Sequence, residues 1–106
     1  MEKQIKLFLE FLENDKKASD NTLQSYRRDI EQYQDYVQEN KLNYSKISTE
    51  NLNSYFEHLT EIGKKPSTIS RNLASIRAFY QYLLNIANSS FIFTTSNAHI
   101  FLHYLI

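Results

Sequence analysis

Two segments of the chain combine arginines with small polar residues in a way that suits contact with a polyanion. They span 19–37 and 66–83, and each begins with hydroxyl or amide side chains and ends in an aromatic-rich apolar run. Guanidinium groups neutralise phosphates, whereas hydroxyl and amide groups donate to phosphate oxygens or read base edges. These residue types therefore predict nucleic-acid binding, and the aromatic runs predict that each segment is anchored in a core.

Helical geometry predicts which of these side chains face outward. Successive residues of an α-helix are about 100° apart, so Arg71 should point away from a stripe that contains Ile69 and Ile76. Ala74 and Ala78 lie on the same outward face and would let a groove approach closely. The predicted phosphate contacts are Arg27, Arg28, Lys64, Lys65, Arg71 and Arg77. The predicted contacts to base edges or to the sugar–phosphate backbone are Asn21, Thr22, Ser25, Ser67 and Ser70.

The same residues have a purely structural interpretation. Alanine favours helices whatever their function, and lysines in a loop usually serve only solubility. Arg27 and Arg28 lie within helical reach of Glu31 and Asp35, with which they would form surface ion pairs. The residue pattern alone leaves both interpretations open.

The composition is that of an ordinary globular domain, but the charge is unevenly distributed. The chain has 106 residues, enough for one domain, and a net charge of zero. Residues 1–61 contain all 12 acidic residues and 8 of the 12 basic ones, whereas residues 62–106 contain the other 4 basic residues and no acid. Such asymmetry is typical of a face that meets a polyanion, and chance clustering of solvated charges is the alternative.

The sequence also bounds the compartment and the class of partner. The absence of cysteine excludes disulfides and thiolate metal sites and is compatible with a reducing cytoplasm, where we expect the protein to act. No apolar run approaches the roughly 18 residues that a membrane span requires, so we expect no membrane partner.

Catalytic and metal-binding constellations are missing from the sequence. The three histidines are His58, His99 and His103, and no acidic residue follows Glu61, so the i,i+4 pair of histidines has no later carboxylate to join it. Gly63 is the single glycine, which excludes a glycine-rich phosphate loop. We therefore expect no catalytic residue, no metal site and no cofactor.

Apolar residues recur at helical spacing in four segments. The predicted helices span about 2–14, 20–39, 49–62 and 66–85, with no sheet in the first 85 residues. Ser19 and Ser48 suit N-caps, Gly63 suits the left-handed position after the third helix, and Pro66 suits the first turn of the fourth. The segment 42–47 is predicted to be a loop. The fold class that follows is all-α, a compact four-helix bundle with an additional C-terminal segment.

The C-terminal segment differs from the rest of the chain. Residues 86–106 contain no Lys, Arg, Asp or Glu but many aromatic and aliphatic side chains. We therefore divide the chain into a domain at 1–86 and an apolar tail at 87–106. Burying a large apolar side chain stabilises a protein by roughly 1.5–3 kcal/mol relative to leaving it in water. Part of 98–106 is therefore expected to pack as a short helix on the bundle or on a second copy. A passive remnant of an interrupted gene is the alternative interpretation.

Three stretches carry a resemblance to a known family. They are NTLQSYRRDI at 21–30, STENLNSYFEHL at 48–59 and KPSTISRNLASIRAFYQYLL at 65–84. Together they resemble the N-terminal core-binding domain of tyrosine recombinases, most closely the Xer-type recombinases and the phage or transposon integrases. The second-helix pattern of that family, N-T-x-x-x-Y-x-x-D-L, is met here by Asn21, Thr22, Tyr26, Asp29 and Ile30. Its fourth-helix pattern, S-I-x-R-x-L-S-x-L-R-x-F-Y-x-x-L, is met by Thr68, Ile69, Arg71, Leu73, Arg77, Phe79, Tyr80 and Leu83, with Ala74 and Ile76 as mild variants.

The resemblance covers about residues 2–86 and implies a SAM-like domain whose second and fourth helices cross the major groove of a recombination half-site. In that family the chemistry belongs to a separate catalytic domain with a tyrosine nucleophile, which cannot be mapped onto this chain. We therefore expect a non-catalytic DNA-binding domain of a tyrosine site-specific recombinase or integrase. Its expected partner is double-stranded DNA, and other recombinase protomers are a second candidate. A helical module that self-associates through the tail is the alternative.

Overall fold

The computed structural model describes the backbone of residues 1–90 and the side chains of residues 1–86. Four α-helices, α1 to α4 in chain order, account for most of this region, and it contains no strand. They span Glu2–Asn14, Asp20–Glu39, Thr49–Glu61 and Pro66–Ser90. The predicted all-α four-helix fold is therefore confirmed. The expected tail helix at 98–106, and any self-association through it, lie outside the described residues.

The helix starts follow the predicted capping chemistry. The Ser19 hydroxyl accepts a hydrogen bond from the backbone N–H of Thr22 at 3.3 Å. At the start of α3, Ser48 and Asn51 cap each other, since each side chain accepts from the other's backbone N–H at 3.1 Å. These reciprocal bonds satisfy N–H groups that have no partner inside a helix, and they fix where α2 and α3 begin.

Gly63 ends α3 in the conformation that its position predicted. Its φ is +88°, its N–H donates to the Thr60 carbonyl at 3.1 Å, and the N–H of Lys64 donates to the Leu59 carbonyl at 3.0 Å. This pair of bonds turns the chain sharply before α4. The fourth helix runs five residues beyond the expected 85, because neither glycine nor proline interrupts the segment that leads to Ser90.

The segment 42–47, predicted as a loop, contains a short 3₁₀ turn at Tyr44–Lys46. The Asn43 carboxamide oxygen caps the turn by accepting from the Ser45 backbone N–H at 3.1 Å. The Tyr80 hydroxyl of α4 donates to the Tyr44 carbonyl at 2.6 Å. The turn therefore combines a local cap with a contact from a distant helix, and only the second of these is beyond the reach of local turn signals.

Most of the predicted apolar stripes form the core, with two differences. Ile62, which the spacing places on the buried face of α3, is 51% exposed because it is the C-cap residue, where the chain leaves the helix. The buried face of α4 is displaced from Ile69 and Leu73, which are half-buried, towards Ser75 and Phe79, which are buried. This displacement brings the polar edge of α4 against α2.

Aromatic rings join three of the four helices, α1, α2 and α4, within the core. Phe8 of α1 lies 5.7 Å from Tyr26 of α2 and 5.6 Å from Phe79 of α4, in edge-to-face arrangements, with distances measured between ring centroids. Tyr82 lies 5.5 Å from the same ring. Edge-to-face pairs add to the burial energy of each ring, so Phe8 helps to set the spacing of α1, α2 and α4.

Three tyrosine hydroxyls, those of Tyr33, Tyr55 and Tyr80, are buried within the core. The Tyr33 and Tyr80 hydroxyls lie 2.8 Å apart, and Tyr80 in turn donates to the Tyr44 carbonyl. Burial raises the pKa of Tyr33 and of Tyr80, so both hydroxyls stay protonated and can donate. The Tyr55 hydroxyl is also buried and has no hydrogen-bond partner in the described region.

Replacing Tyr80 with phenylalanine should lower the free energy of unfolding by roughly 1–2 kcal/mol, because it leaves the Tyr44 carbonyl without its donor and removes the oxygen that pairs with Tyr33. Urea unfolding followed by circular dichroism measures the change. Tyr36→Phe is the matched control, since no hydrogen bond of the Tyr36 hydroxyl is found within residues 1–86, and it should change stability little. Equal effects of the two substitutions would contradict the role given to the tyrosine pair.

Candidate nucleic-acid interface

A shallow groove lies between the N-terminal half of α2 and the middle of α4. It encloses about 290 Å³, and we call it the α2–α4 groove. Its lining residues are Asn21, Thr22, Ser25, Tyr26, Arg71, Ala74 and Ser75. The structure thus brings together four of the predicted contact residues, three small polar ones from α2 and Arg71 from α4. The small side chain of Ala74 lies beside Arg71, as the prediction of close approach requires.

Arg71 is bound to a buried carboxylate that was given no role at the sequence level. Its Nε and Nη2 donate to the two carboxylate oxygens of Asp29, at 3.1 and 2.8 Å. The Ser75 hydroxyl donates to Asp29 Oδ2 at 2.7 Å. Asp29 is fully buried, whereas the Arg71 side chain is 45% exposed. The hydrogen bond to Asp29 raises the pKa of Arg71, so the guanidinium stays charged.

The sequence places these three side chains together for a simple reason. Asp29 lies on the apolar face of α2, between Tyr26 and Tyr33, and a carboxylate buried there must be paired or protonated. Arg71 and Ser75 are four residues apart on α4, so they lie one above the other on the same face of the helix. The packing of α4 on α2 then directs both donors at one acceptor.

Arg77 is placed differently from Arg71. It does not line the α2–α4 groove, its side chain is half-buried, and its Nε is buried with no hydrogen-bond partner in the described region. The six-residue separation from Arg71 turns the two side chains onto different faces of α4. The structure therefore does not bring the two arginines of α4 together.

The two arginines of α2 are exposed. Within residues 1–86 the one ion pair is that of Arg71 with Asp29, so Arg27 and Arg28 form no pair with Glu31 or Asp35 there. The ion-pair alternative raised by their spacing is therefore not observed. Arg27 lines a separate cleft between α1 and α2.

The remaining predicted contacts surround the start of α4. Lys64 and Lys65 lie in the connection from α3, and Ser67 and Ser70 lie in the first two turns; all four are exposed. The Lys65 carbonyl accepts from the N–H of Ile69 at 3.0 Å, which begins the helical hydrogen-bond ladder. The free N–H groups of a helix start favour anions, so two ammonium groups at this point add to an existing electropositive end.

No metal centre can be assembled from the described residues, which hold no group of three potential ligands among His, Cys, Asp and Glu. His58 is half-buried, and its ring lies 5.4 Å from that of Tyr36. His99 and His103 fall outside the described region. None of the helices that the structure describes is long and apolar enough to cross a membrane.

Asp29 and Ser75 are the site residues that the analysis of the sequence missed. A signal for Asp29 was present, because a carboxylate among the apolar residues Tyr26, Ile30 and Tyr33 requires a partner if the helix is buried there. The identity of that partner was not readable, since it depends on how α4 is rotated against α2.

Comparison with known proteins places the chain in a family. The family model described as "Phage integrase, N-terminal SAM-like domain" matches residues 5–85. A protein named "Putative tyrosine recombinase TTE1313", from Caldanaerobacter subterraneus subsp. tengcongensis, is 46% identical over 76 residues, which is 72% of this chain and 26% of that protein.

Two further relatives carry the name tyrosine recombinase XerD. The protein from Oceanobacillus iheyensis is 37% identical over 86 residues, or 79% of this chain and 29% of the relative. The protein from Rhizobium meliloti is 35% identical over 79 residues, or 74% and 25%. The chain thus spans less than a third of the length of these curated relatives, and no solved structure gives a significant match. With the family match covering most of its length, the chain belongs to the phage integrase N-terminal SAM-like domain family of the tyrosine recombinases.

Proposed function

We propose that this chain is the DNA-binding, core-binding domain of a tyrosine site-specific recombinase or integrase. In this proposal α2 and α4 grip one side of a recombination half-site. The observation that carries it is the α2–α4 groove, in which three small polar residues of α2 meet Arg71 of α4 beside an alanine. Hydroxyl, amide and guanidinium groups that converge on one open groove are suited to a duplex, whose surface offers phosphate oxygens and base edges.

The exposed cations near the α2–α4 groove also support the proposal that this surface binds DNA. Arg28 on α2, and Lys64 and Lys65 before α4, lie on the two helices that form the groove or beside them, and none is neutralised by an ion pair in the described region. Arg27 is also exposed, but it lines the separate cleft between α1 and α2, so it is not counted in the proposed surface. Each phosphate that such a cation neutralises releases counterions, which supplies most of the affinity for duplex DNA. Ser67 and Ser70, near the start of α4, would add neutral donors to the phosphate backbone.

The domain would position DNA and leave the reaction to another part of a recombinase. The match to the family lies in its N-terminal domain, and the chain covers 25% to 29% of the length of these relatives. Nothing within residues 1–86 assembles a metal centre, and we assign the chain no catalytic residue. Its affinity should be low, since one domain supplies only part of the phosphate contacts that a two-domain clamp makes. We place the protein in the cytoplasm with its DNA and, as a second class of partner, with other recombinase protomers.

The test is a titration of the full 106-residue chain with a labelled mixed-sequence duplex at several salt concentrations. We expect weak binding at low salt that falls steeply as salt is added. Arg28→Ala should reduce the slope of log K against log[salt] by about 0.9, because one phosphate contact is lost.

Lys6→Ala is the matched control, because it removes one exposed positive charge from α1, away from the proposed surface. It should leave the slope unchanged. Absence of binding to any duplex at low salt would refute the proposed function. Equal changes of slope in both variants would mean that the charge acts from a distance and that α2 is not at the interface.

A further inference from the structure

The geometry of Arg71 leaves one edge of its guanidinium available. An arginine has five N–H donors in a planar fork, and Asp29 accepts from the edge formed by Nε and Nη2. The other edge, formed by Nη1 and the second hydrogen of Nη2, points away from Asp29. The side chain is 45% exposed, lines the α2–α4 groove and makes no further hydrogen bond in the described region.

The charge of Arg71 is already compensated. The Asp29 carboxylate lies 2.8 Å from Nη2, so the two groups together present little net charge to a ligand. Counterion release requires a net cation, which makes this pair a poor neutraliser of phosphate. A base edge is uncharged and is recognised by hydrogen bonds of fixed direction, which a clamped planar fork supplies.

We propose that Arg71 reads a guanine edge by donating to O6 and N7 in the major groove, and that Asp29 is the positioning residue that fixes the orientation of the Arg71 guanidinium. The inference rests on the proposed function and changes one part of it, because the spacing alone assigned Arg71 to phosphate. The Ser75 hydroxyl also donates to the carboxylate, at 2.7 Å from Oδ2, the oxygen that accepts from Arg71 Nε. Ala74 leaves room for a base pair to approach.

Base reading and phosphate neutralisation can be measured separately, the first as a base preference and the second as the slope of log K against log[salt]. The first experiment selects bound duplexes from a randomised pool with the full chain, and we expect enrichment of a G·C pair at one position. The double variant Asp29→Asn with Arg71→Gln replaces the ion pair by two amides that can hydrogen-bond to each other. We expect it to lower the preference for that pair by roughly 5- to 150-fold. Its salt slope should match that of the wild type, because the pair is neutral in both proteins.

The single variant Asp29→Asn separates positioning from structure. It removes the compensating charge and leaves the guanidinium in place. Arg71 then carries a net positive charge, and its guanidinium is held less firmly in one orientation. We expect the salt slope to become steeper by up to about 0.9 while the guanine preference falls. A merely structural role for Asp29 would weaken binding and stability without steepening the slope. Circular dichroism of each variant shows that the folded protein is being compared.

The outcomes distinguish this inference from the function on which it rests. If the wild type binds duplexes but enriches no guanine, or if the double variant flattens the slope by about 0.9 with an unchanged base preference, Arg71 contacts phosphate and the inference is wrong. An Asp29→Asn variant with the wild-type slope and preference would also overturn it. Failure of the wild type to bind any duplex would remove both proposals.

Discussion

Replacing Phe79 with alanine should lower the free energy of unfolding by about 3–5 kcal/mol. Phe79 is fully buried, and its ring lies 5.6 Å from that of Phe8, where α4 packs against α1. Removing it forgoes the burial of an aromatic ring and leaves a cavity that rigid helices on both sides cannot close. Since small domains are stabilised by only about 5–15 kcal/mol, much of the population should unfold at moderate urea concentrations.

Phe56→Ala is the matched control, because it makes the same change at a half-buried position on α3. It should cost clearly less, since part of the ring is already in water. Urea titrations of the three proteins give the comparison. The prediction would be wrong if the two substitutions lowered stability equally, because the cost would then come from helix propensity or from the unfolded state and not from a cavity.

The helices of this fold were predictable because their signals are local. Ser19 and Ser48 cap the helices that their positions predicted, and Gly63 adopts the left-handed conformation expected after α3. Helix capping and the left-handed backbone conformation depend on residues only a few positions apart, so both can be predicted from the local sequence. The short turn at Tyr44–Lys46 has a local cap in Asn43, but its contact with the Tyr80 hydroxyl, 36 residues away, could not be read from the local sequence.

The site was predictable only in part, for the same reason. Periodicity placed Arg71 and Ala74 on the polar side of α4, and both line the groove. It did not show that Arg71 is clamped by Asp29, because that contact depends on the rotation of α4 against α2. Ile76 and Tyr80 of the predicted stripe are buried, but Ile69 is only half-buried and the buried face extends to Ser75. Arg71 is therefore both partly exposed, as periodicity predicted, and paired with a buried carboxylate, which periodicity could not predict.

The ion pair between Arg71 and Asp29 changes how the uneven charge distribution of the sequence is interpreted. Residues 62–106 contain four basic residues and no acid, yet one of the four, Arg71, is compensated by an acid from the other segment. Of the other three, Arg77 is half-buried, so the exposed cations that remain for phosphate are Lys64 and Lys65 at the start of α4, together with Arg28 of α2. Electrostatic attraction and base reading would therefore come from different residues of the same surface.

Arg71→Ala should destabilise the domain by about 2–3 kcal/mol, less than the 3–5 kcal/mol typical of breaking a fully buried pair. The substitution leaves the carboxylate of Asp29 buried, and the Ser75 hydroxyl at 2.7 Å is then its one side-chain donor in the described region. The expected loss is reduced because Arg71 is 45% exposed, so water can enter where the guanidinium was. Thermal and urea unfolding of the variant measure it.

Two comparisons isolate the unpaired charge as the cause. Arg28→Ala makes the same truncation at an exposed arginine that has no ion pair in the described region, and it should change stability little. The double variant Asp29→Asn with Arg71→Gln should be more stable than Arg71→Ala, although it alters more atoms of the pair, because no charge is left buried. If the double variant is the less stable of the two, the cost comes from lost packing, and the clamp on Arg71 is weaker than its geometry implies.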